Sequence, residues 1–180
     1  MNIVFFLLDT IFFFLVFLAL LRAWLNGARI SMSQQPGPFI MAATDWLVMP
    51  LRRSMPMSWQ RSRWDTASVL VACLLALLHA AAIALLGGWL AGGMTLLNLA
   101  IPVLAFKFLA KAMLQGTFML VLLYAVLSWV QPYSPVQAWL ARLLSPLLAP
   151  LRKAIPLVGG IDLSPLALVV LLQVGLMVVG

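Results

Sequence analysis

The chain has 180 residues, of which 65% are hydrophobic and only 8% are charged. A soluble domain has about a quarter charged residues, so this composition excludes an ordinary water-exposed surface and indicates a protein covered mostly by lipid. The net charge of +7 is concentrated in short loops. This distribution argues against direct nucleic-acid binding, which needs a basic face exposed to solvent.

Four hydrophobic segments are long enough, or nearly long enough, to cross a membrane. A spanning helix needs about 20 mostly apolar residues. We predict spans over 3–25, 66–90, 112–130 and 164–180, of which the last is short. Residues 94–111 contain Pro102 and two Lys. We interpret this stretch as a linker or an interfacial, half-inserted segment leading into the third span.

Two parts of the chain repeat each other. Residues 50–56 read PLRRSMP and residues 150–156 read PLRKAIP. A Trp precedes each block and an Asp follows it: Trp24 and Trp129, Asp65 and Asp162. Each copy contributes two spans, so both enter the membrane in the same sense, unlike the inverted repeats of transporters. We therefore predict an all-α membrane protein with about four transmembrane helices in two parallel tandem repeats, 1–93 and 112–180.

Each repeat is predicted to carry an interfacial amphipathic helix before its basic block. In the second copy, apolar residues recur at spacings of three and four from Val136 to Leu147. We expect this stripe to face the acyl chains at the membrane interface. Because proline removes a backbone donor, Pro50, Pro146 and Pro150 are expected to end these helices and to keep the basic blocks rigid and non-helical.

The basic blocks are the candidate binding site, for anionic lipid headgroups or for a protein partner. The site residues are Arg52, Arg53, Arg152 and Lys153, with the flanking Pro50, Pro56, Pro150 and Pro156. Each cation near an anionic surface contributes about 1 kcal/mol. The alternative is that these charges only set topology, because Lys and Arg are enriched in cytoplasmic loops. In both cases the basic loops are expected to face the cytoplasm.

His79 and Gln173 are the candidate polar residues inside the membrane. An ionisable group there suggests a proton relay or a ligand site, but we favour a packing or interhelical bonding role for His79 and an interhelical hydrogen bond for Gln173. No second His, Cys pair or acidic cluster has ligand spacing, so neither a metal site nor a cofactor is predicted. No catalytic motif is present either.

The doubled pattern resembles the YggT family of bacterial and plastid membrane proteins. Its parts are Leu-Ser-Trp or Arg-x-Trp at the end of a span, then Pro-Leu-Arg-Arg/Lys-x-x-Pro, then Gly-Gly-Ile-Asp-Leu-Ser-Pro. The resemblance covers essentially the whole chain and is tighter in the second copy, at 128–129, 150–156 and 159–165. Family members often carry Arg five positions before the second Trp, where this chain has Tyr124.

The resemblance implies a small protein of the bacterial inner membrane. It links the chain to envelope and osmotic stress, to cell-division gene clusters and, in plastids, to cytochrome assembly and nucleoid organisation. We expect a non-enzymatic scaffold or assembly factor that presents its basic loops to lipid or to a protein partner. The alternative is a channel or carrier for potassium or osmolytes, which needs a homo-oligomer because four short spans are too few for a monomeric pore.

Overall fold

The computed structural model describes residues 3–33, 36–55, 65–91, 97–155 and 162–180. In these residues the backbone forms α-helices and no β-strand. The helices are α1 (Ile3–Gly27), α2 (Gly37–Ser54), α3 (Thr66–Ala91), α4 (Leu97–Val130), α5 (Pro135–Ala154) and α6 (Ser164–Val179). The prediction of an all-helical protein is therefore confirmed for the described part of the chain.

Three helices have the length and composition of membrane spans. The apolar stretches are Ile3–Gly27, Thr66–Gly87 and Ala100–Val130, with 25, 22 and 31 residues. At about 1.5 Å per residue, each is longer than the ~30 Å hydrocarbon core of a bilayer. Helix α6 is also apolar but has only 16 residues, which gives it a length of about 24 Å.

Helix α4 begins well before the predicted third span. The helix runs from Leu97 to Val130 without interruption and contains Pro102. Residues 97–111, which we interpreted as part of a linker or an interfacial, half-inserted segment, are thus in the same helix as 112–130. Proline inside a helix removes one backbone hydrogen bond, and the apolar residues on both sides of Pro102 continue the helix across this position.

The chain divides into two compact units, Met1–Met113 and Leu114–Gly180. In the first unit, α1 and α3 lie antiparallel, since Asn26 contacts Asp65 at one end and Asp9 contacts His79 at the other. Their contact includes small residues, since Ala19 of α1 and Ala67 and Ala72 of α3 belong to one buried cluster. Small side chains let helix backbones approach closely, which is how helices associate in lipid.

In the second unit, α5 packs against α6. The residues of α5 that are buried recur at helical spacing, at Leu140, Leu143, Leu144 and Leu148. The predicted stripe was expected to face the acyl chains, and for Leu140, Leu143 and Leu144 that prediction is wrong, since the protein itself covers them. A period of three and four shows which residues share a face, but it does not distinguish burial by lipid from burial by a neighbouring helix.

The prolines of the basic blocks do not end their helices. Pro50 lies inside α2, and Pro146 and Pro150 lie inside α5, so Arg52, Arg53, Arg152 and Lys153 form the last helical turns. The prediction of rigid, non-helical blocks is therefore wrong. Two local effects offset the lost backbone bonds. The Ser145 hydroxyl donates to the Arg142 carbonyl (2.9 Å), which Pro146 leaves without its usual donor. Cations in the last turn also interact favourably with the negative end of the helix dipole.

Candidate lipid- or partner-binding site

The last turn of α2 is joined to the start of α3 by an ion pair. Arg52 Nη2 lies 2.7 Å from Asp65 Oδ2, and the Asp65 side chain is only 4% exposed. Asp65 directly precedes α3 and accepts from the backbone amide of Ser68 (3.3 Å), which is the bond that an N-cap residue makes. The Ser68 hydroxyl also donates to Asp65 Oδ2 (2.9 Å). One carboxylate thus caps α3 and holds the end of α2.

Arg22 of α1 completes this network. Its Nη1 donates to Thr44 Oγ1 and to Asp45 Oδ1, both at 2.7 Å, and its Nε lies 3.6 Å from Asp65 Oδ2. The Arg22 side chain is 6% exposed. Asn26 Nδ2 adds a bond of 3.0 Å to Asp65. Because two arginines face two aspartates, the network is close to neutral, as a buried charged cluster must be.

The pKa of Asp65 is shifted by its burial and by its contacts with Arg52 and Ser68. Burial raises the pKa of the carboxyl group, whereas the hydrogen bonds from Arg52 and Ser68 and the positive charge of Arg52 lower it more, so that the net pKa lies below its ordinary value. Asp65 is therefore a carboxylate at neutral pH. Its charge is needed to balance the two arginines.

The second unit repeats the ion pair in a more open form. Arg152 Nε lies 2.8 Å from Asp162 Oδ2, with side chains 44% and 31% exposed. The Ser164 backbone amide at the start of α6 donates to Asp162 Oδ1 (2.9 Å). Arg152 Nη2 also donates to the Tyr124 hydroxyl (3.1 Å). The tyrosine that stands where family members often carry Arg therefore contacts the basic block directly.

The ionisable groups of this second pair are also shifted. Burial raises the pKa of Asp162, but hydrogen bonding from Ser164 and Arg152 lowers it below its ordinary value. Burial lowers the pKa of Arg152, but its hydrogen bonds to Asp162 and Tyr124 raise the pKa by more, so that it lies above its ordinary value. Both groups are therefore charged at neutral pH, and the pair adds no net charge to the surface.

The second cation of each block has a different environment from the first. Arg53 and Lys153 are exposed, and neither forms an ion pair with any residue that the structure describes. Pro50 and Pro150 are exposed on the same helical turns. Pro56 and Pro156, the other two prolines of the predicted site, lie outside the described residues. Each block thus combines one arginine paired with an aspartate and one cation directed outward.

His79 bonds to α1. Its Nε2 lies 2.6 Å from Asp9 Oδ1, and its side chain is 8% exposed. Two phenyl rings enclose the imidazole: Phe108 stacks on it with ring centroids 3.8 Å apart, and Phe12 lies 5.4 Å away at a tilt. The histidine therefore joins α1, α3 and α4. The sequence suggests no partner for His79, because Asp9 is 70 positions away.

Gln173 is not part of such a contact. It is exposed on α6 and makes no hydrogen bond to another residue in the described ranges, so the interhelical bond stays a prediction. A glutamine side chain is long enough to reach water or lipid carbonyl groups from a short helix.

Among the described residues, no group of three or more His, Cys, Asp or Glu side chains gathers into a metal-binding set.

The helices and the charged helix ends define a class, that of small helical membrane proteins with a repeated Arg–Asp pair between an amphipathic helix and an apolar one. The sequence profile of the family described as CCB3/YggT matches residues 1–86 and 103–180. The chain belongs to this family.

Three bacterial relatives illustrate the similarity. The protein YggT of Escherichia coli K12 is 34% identical over 180 residues, which is 97% of this chain and 87% of that protein. A protein of Vibrio alginolyticus, described by its position in the proC 3' region, is 34% identical over 96% of this chain and 91% of its own length. Protein PA0392 of Pseudomonas aeruginosa is 32% identical over 89% and 80%. No solved structure matches the chain.

Proposed function

We propose that this protein is a non-enzymatic scaffold of the bacterial inner membrane whose two basic helix ends bind anionic lipid headgroups on the cytoplasmic face. One observation carries the proposal. In each unit, the Arg–Asp pair fixes the last turn of a helix, and the next cation, Arg53 or Lys153, is exposed. A cation that served only to set topology would need no such fixed support.

Because of the Arg–Asp pairs, the proposed site attracts anionic lipid less strongly than four unpaired cations would. Arg52 and Arg152 are neutralised by Asp65 and Asp162, so they add little attraction for an anionic surface. Arg53 and Lys153 remain, and at about 1 kcal/mol for each cation they provide roughly 2 kcal/mol. This energy suits reversible enrichment of anionic lipid around the protein rather than tight binding of one molecule.

In the proposed topology, α1, α3, α4 and α6 span the bilayer in two parallel repeats. The length of α6 falls about 6 Å short of the hydrocarbon core, a gap that local thinning of the bilayer can close. Apart from Gln173, its outward residues are apolar, as contact with lipid requires: Leu166, Val170, Leu171, Val174, Met177 and Val178. Both basic helix ends then lie on one side, which the excess of Lys and Arg assigns to the cytoplasm.

Exposed aromatic side chains on α2, and at and just after the end of α4, support an interfacial position for these parts of the chain. Trp46 of α2 is 62% exposed, and its indole N–H donates to the Ala43 carbonyl (2.9 Å), so the ring needs no water as a partner. Trp129 and Tyr133, at the end of α4, are 80% and 98% exposed. Trp and Tyr are enriched where the hydrocarbon meets the headgroups.

The experiment is a measurement of lipid enrichment around the reconstituted protein. Nanodiscs containing a mixture of phosphatidylglycerol and phosphatidylcholine would be compared for the wild type and R53E/K153E, with spin-labelled lipids reporting the composition next to the protein. We expect the charge reversal to abolish the enrichment of phosphatidylglycerol. The control R53K/K153R keeps both charges and should behave as the wild type does.

A second measurement distinguishes a lipid from a protein as the bound species. A photo-crosslinking residue at position 54 or 154, next to the exposed cations, should capture lipid in cells. Unchanged enrichment in R53E/K153E, together with crosslinks to one specific protein, would replace the lipid-binding proposal with a docking site for that protein.

A further inference from the structure

Several charged groups lie at one level of the first unit, inside the spanning part of its helices. Asp9 of α1 contacts His79 of α3 (2.6 Å), and the ring of Phe108 in α4 stacks on His79. Lys107 directly precedes Phe108, and Lys111 follows it by about one helical turn. These contacts place the aspartate, the histidine and the first lysine at almost the same height along the helix axes.

This level is remote from the charged network at Asp65. His79 lies about 14 residues farther along α3, which corresponds to about 21 Å. With the Asp65 network at one boundary of a ~30 Å core, the other boundary is about 9 Å beyond His79. The charged level is thus well within the hydrocarbon.

Lys111 lies still closer to the middle of the membrane. Helix α4 runs antiparallel to α3, because Ala105 clusters with Ala76 and Ala80, while Ala112 belongs to the cluster that contains Ala72. Lys111 is therefore nearer to the Asp65 end than Lys107 by about 6 Å. This places it close to the bilayer midplane, too deep for its side chain to bring the ammonium group fully to the headgroups.

The charges at this level are not covered within one chain. The Asp9 side chain is 54% exposed, although its Oδ1 contacts His79. Lys107 and Lys111 are exposed, and neither has a hydrogen bond or an ion pair to any residue in the described ranges. A charged side chain that faces hydrocarbon is strongly unfavourable, and such residues in membrane proteins pair with an opposite charge.

We propose that this level is the contact between two copies of the chain, in which Asp9 of one copy pairs with Lys107 and Lys111 of the other. Two copies inserted in the same direction are related by an axis perpendicular to the membrane, which keeps every residue at its own depth. Groups of similar depth can then meet. Asp9 and Lys107 lie at almost the same height, and Lys111, about 6 Å away along the axis, comes within reach through its long, flexible side chain. Lys107 and Lys111 share one face of α4, since they are four residues apart.

The surface around these charges is suited to such a contact. Large apolar side chains are exposed on the same parts of the two helices, namely Phe6, Ile11 and Phe14 on α1 and Val103, Leu104 and Phe106 on α4. In the proposed dimer, these apolar side chains surround the intermolecular ion pairs. Electrostatic attraction is strong in such a low-dielectric environment. The proposal requires only that α1, α3 and α4 cross the bilayer, so it does not depend on lipid binding by the basic helix ends.

A charge-swap experiment tests the proposal. Two differently tagged copies are expressed together, and their association is measured by energy transfer in liposomes over a series of protein-to-lipid ratios. D9K alone and K107D/K111D alone should each weaken self-association about tenfold or more, because like charges then meet. Mixing D9K copies with K107D/K111D copies should restore association, since opposite charges face each other at both contacts.

The variants are matched to controls for folding and for charge. D9N keeps an oxygen that can accept from His79 and removes only the charge, so it should weaken association without disturbing the helices. R142E reverses an exposed cation outside the spans and outside the basic helix ends, and it should leave association unchanged. Monomeric wild type at every ratio would overturn the proposal. So would D9N copies that associate as the wild type does, or correctly inserted D9K and K107D/K111D copies that fail to associate with each other.

Discussion

The guanidinium of Arg52 and the carboxylate of Asp65 lie 2.7 Å apart, and this contact fixes the end of α2 to the beginning of α3. The same carboxylate accepts from Asn26 of α1 and from Ser68 of α3. Three helices of the first unit thus meet at one buried negative charge. The corresponding pair in the second unit, Arg152 and Asp162, has the same connectivity between α5 and α6 but is much more exposed.

The D65N substitution should strongly destabilise the first unit. It removes the negative charge that lies next to both Arg52 and Arg22, and the Arg22 side chain is buried. Breaking a buried ion pair in this way costs about 3–5 kcal/mol. The measurement is the free energy of unfolding in detergent micelles, obtained by denaturant titration followed by circular dichroism.

D162N is the matched control for this substitution. Its pair with Arg152 is partly exposed to solvent, so water screens the charges and the loss should be about 1 kcal/mol or less. Equal costs for the two substitutions would show that burial does not distinguish the two pairs.

Stability should also fall in acid because of Asp65. Its pKa is lower in the folded protein than in the unfolded chain, so the unfolded state takes up a proton first as the pH decreases. The stabilisation is fully present above the unfolded pKa of about 3.9 and is lost as the pH falls through the folded pKa. Thermal unfolding between pH 7 and pH 2 should show this loss in the wild type, and D65N should reduce it. An identical acid dependence in D65N would exclude Asp65 as its source.

The sequence predicts the helical class and the main elements because these depend on local hydrophobicity. The lengths of α1 and α3 follow from long apolar runs, and the repeated basic blocks mark the ends of α2 and α5. The signal for the Arg–Asp pairs was also present, since both copies place an Asp after the block at a similar distance. Charge complementarity between this Asp and the basic block, next to a membrane span, points to an ion pair.

Other parts of the site depend on tertiary contacts that no local pattern contains. Arg22 lies in an otherwise apolar run, and only the approach of α2 places Thr44 and Asp45 beside its guanidinium. The contact of His79 with Asp9 likewise needs α1 and α3 to be antiparallel and in one particular register. The prediction from the prolines failed for a different reason. The nearby Ser145 hydroxyl and the ion pairs at the helix ends offset the cost of a proline inside a helix, and the rule that proline ends a helix does not include such neighbouring contacts.

Replacing Arg29 by glycine should stabilise the first unit. Arg29 has a φ of 54°, in the left-handed region that follows many helix ends, and the amide of Ile30 donates to the Leu25 carbonyl (3.0 Å) across it. Glycine adopts this conformation without steric cost, so R29G should gain about 0.5–1 kcal/mol in unfolding free energy. R142G is the control, since the same change inside α5 should cost about 1 kcal/mol. A loss in R29G would contradict the strain at this position.

Gly37 should tolerate no larger side chain, because the start of α2 packs directly on the backbone of Met32. A Cβ added at Gly37 would lie 2.5 Å from the Met32 Cα and 2.6 Å from its carbonyl carbon. Backbone atoms cannot yield as a flexible side chain does, so G37A should cost about 1–3 kcal/mol.

Gly87 in α3 offers the opposite case, since a Cβ there meets nothing within 4 Å. G87A should therefore gain up to about 1 kcal/mol from the higher helix propensity of alanine. Unfolding titrations of the two variants in the same detergent measure the difference, and a G37A protein as stable as G87A would show that α2 does not start against Met32.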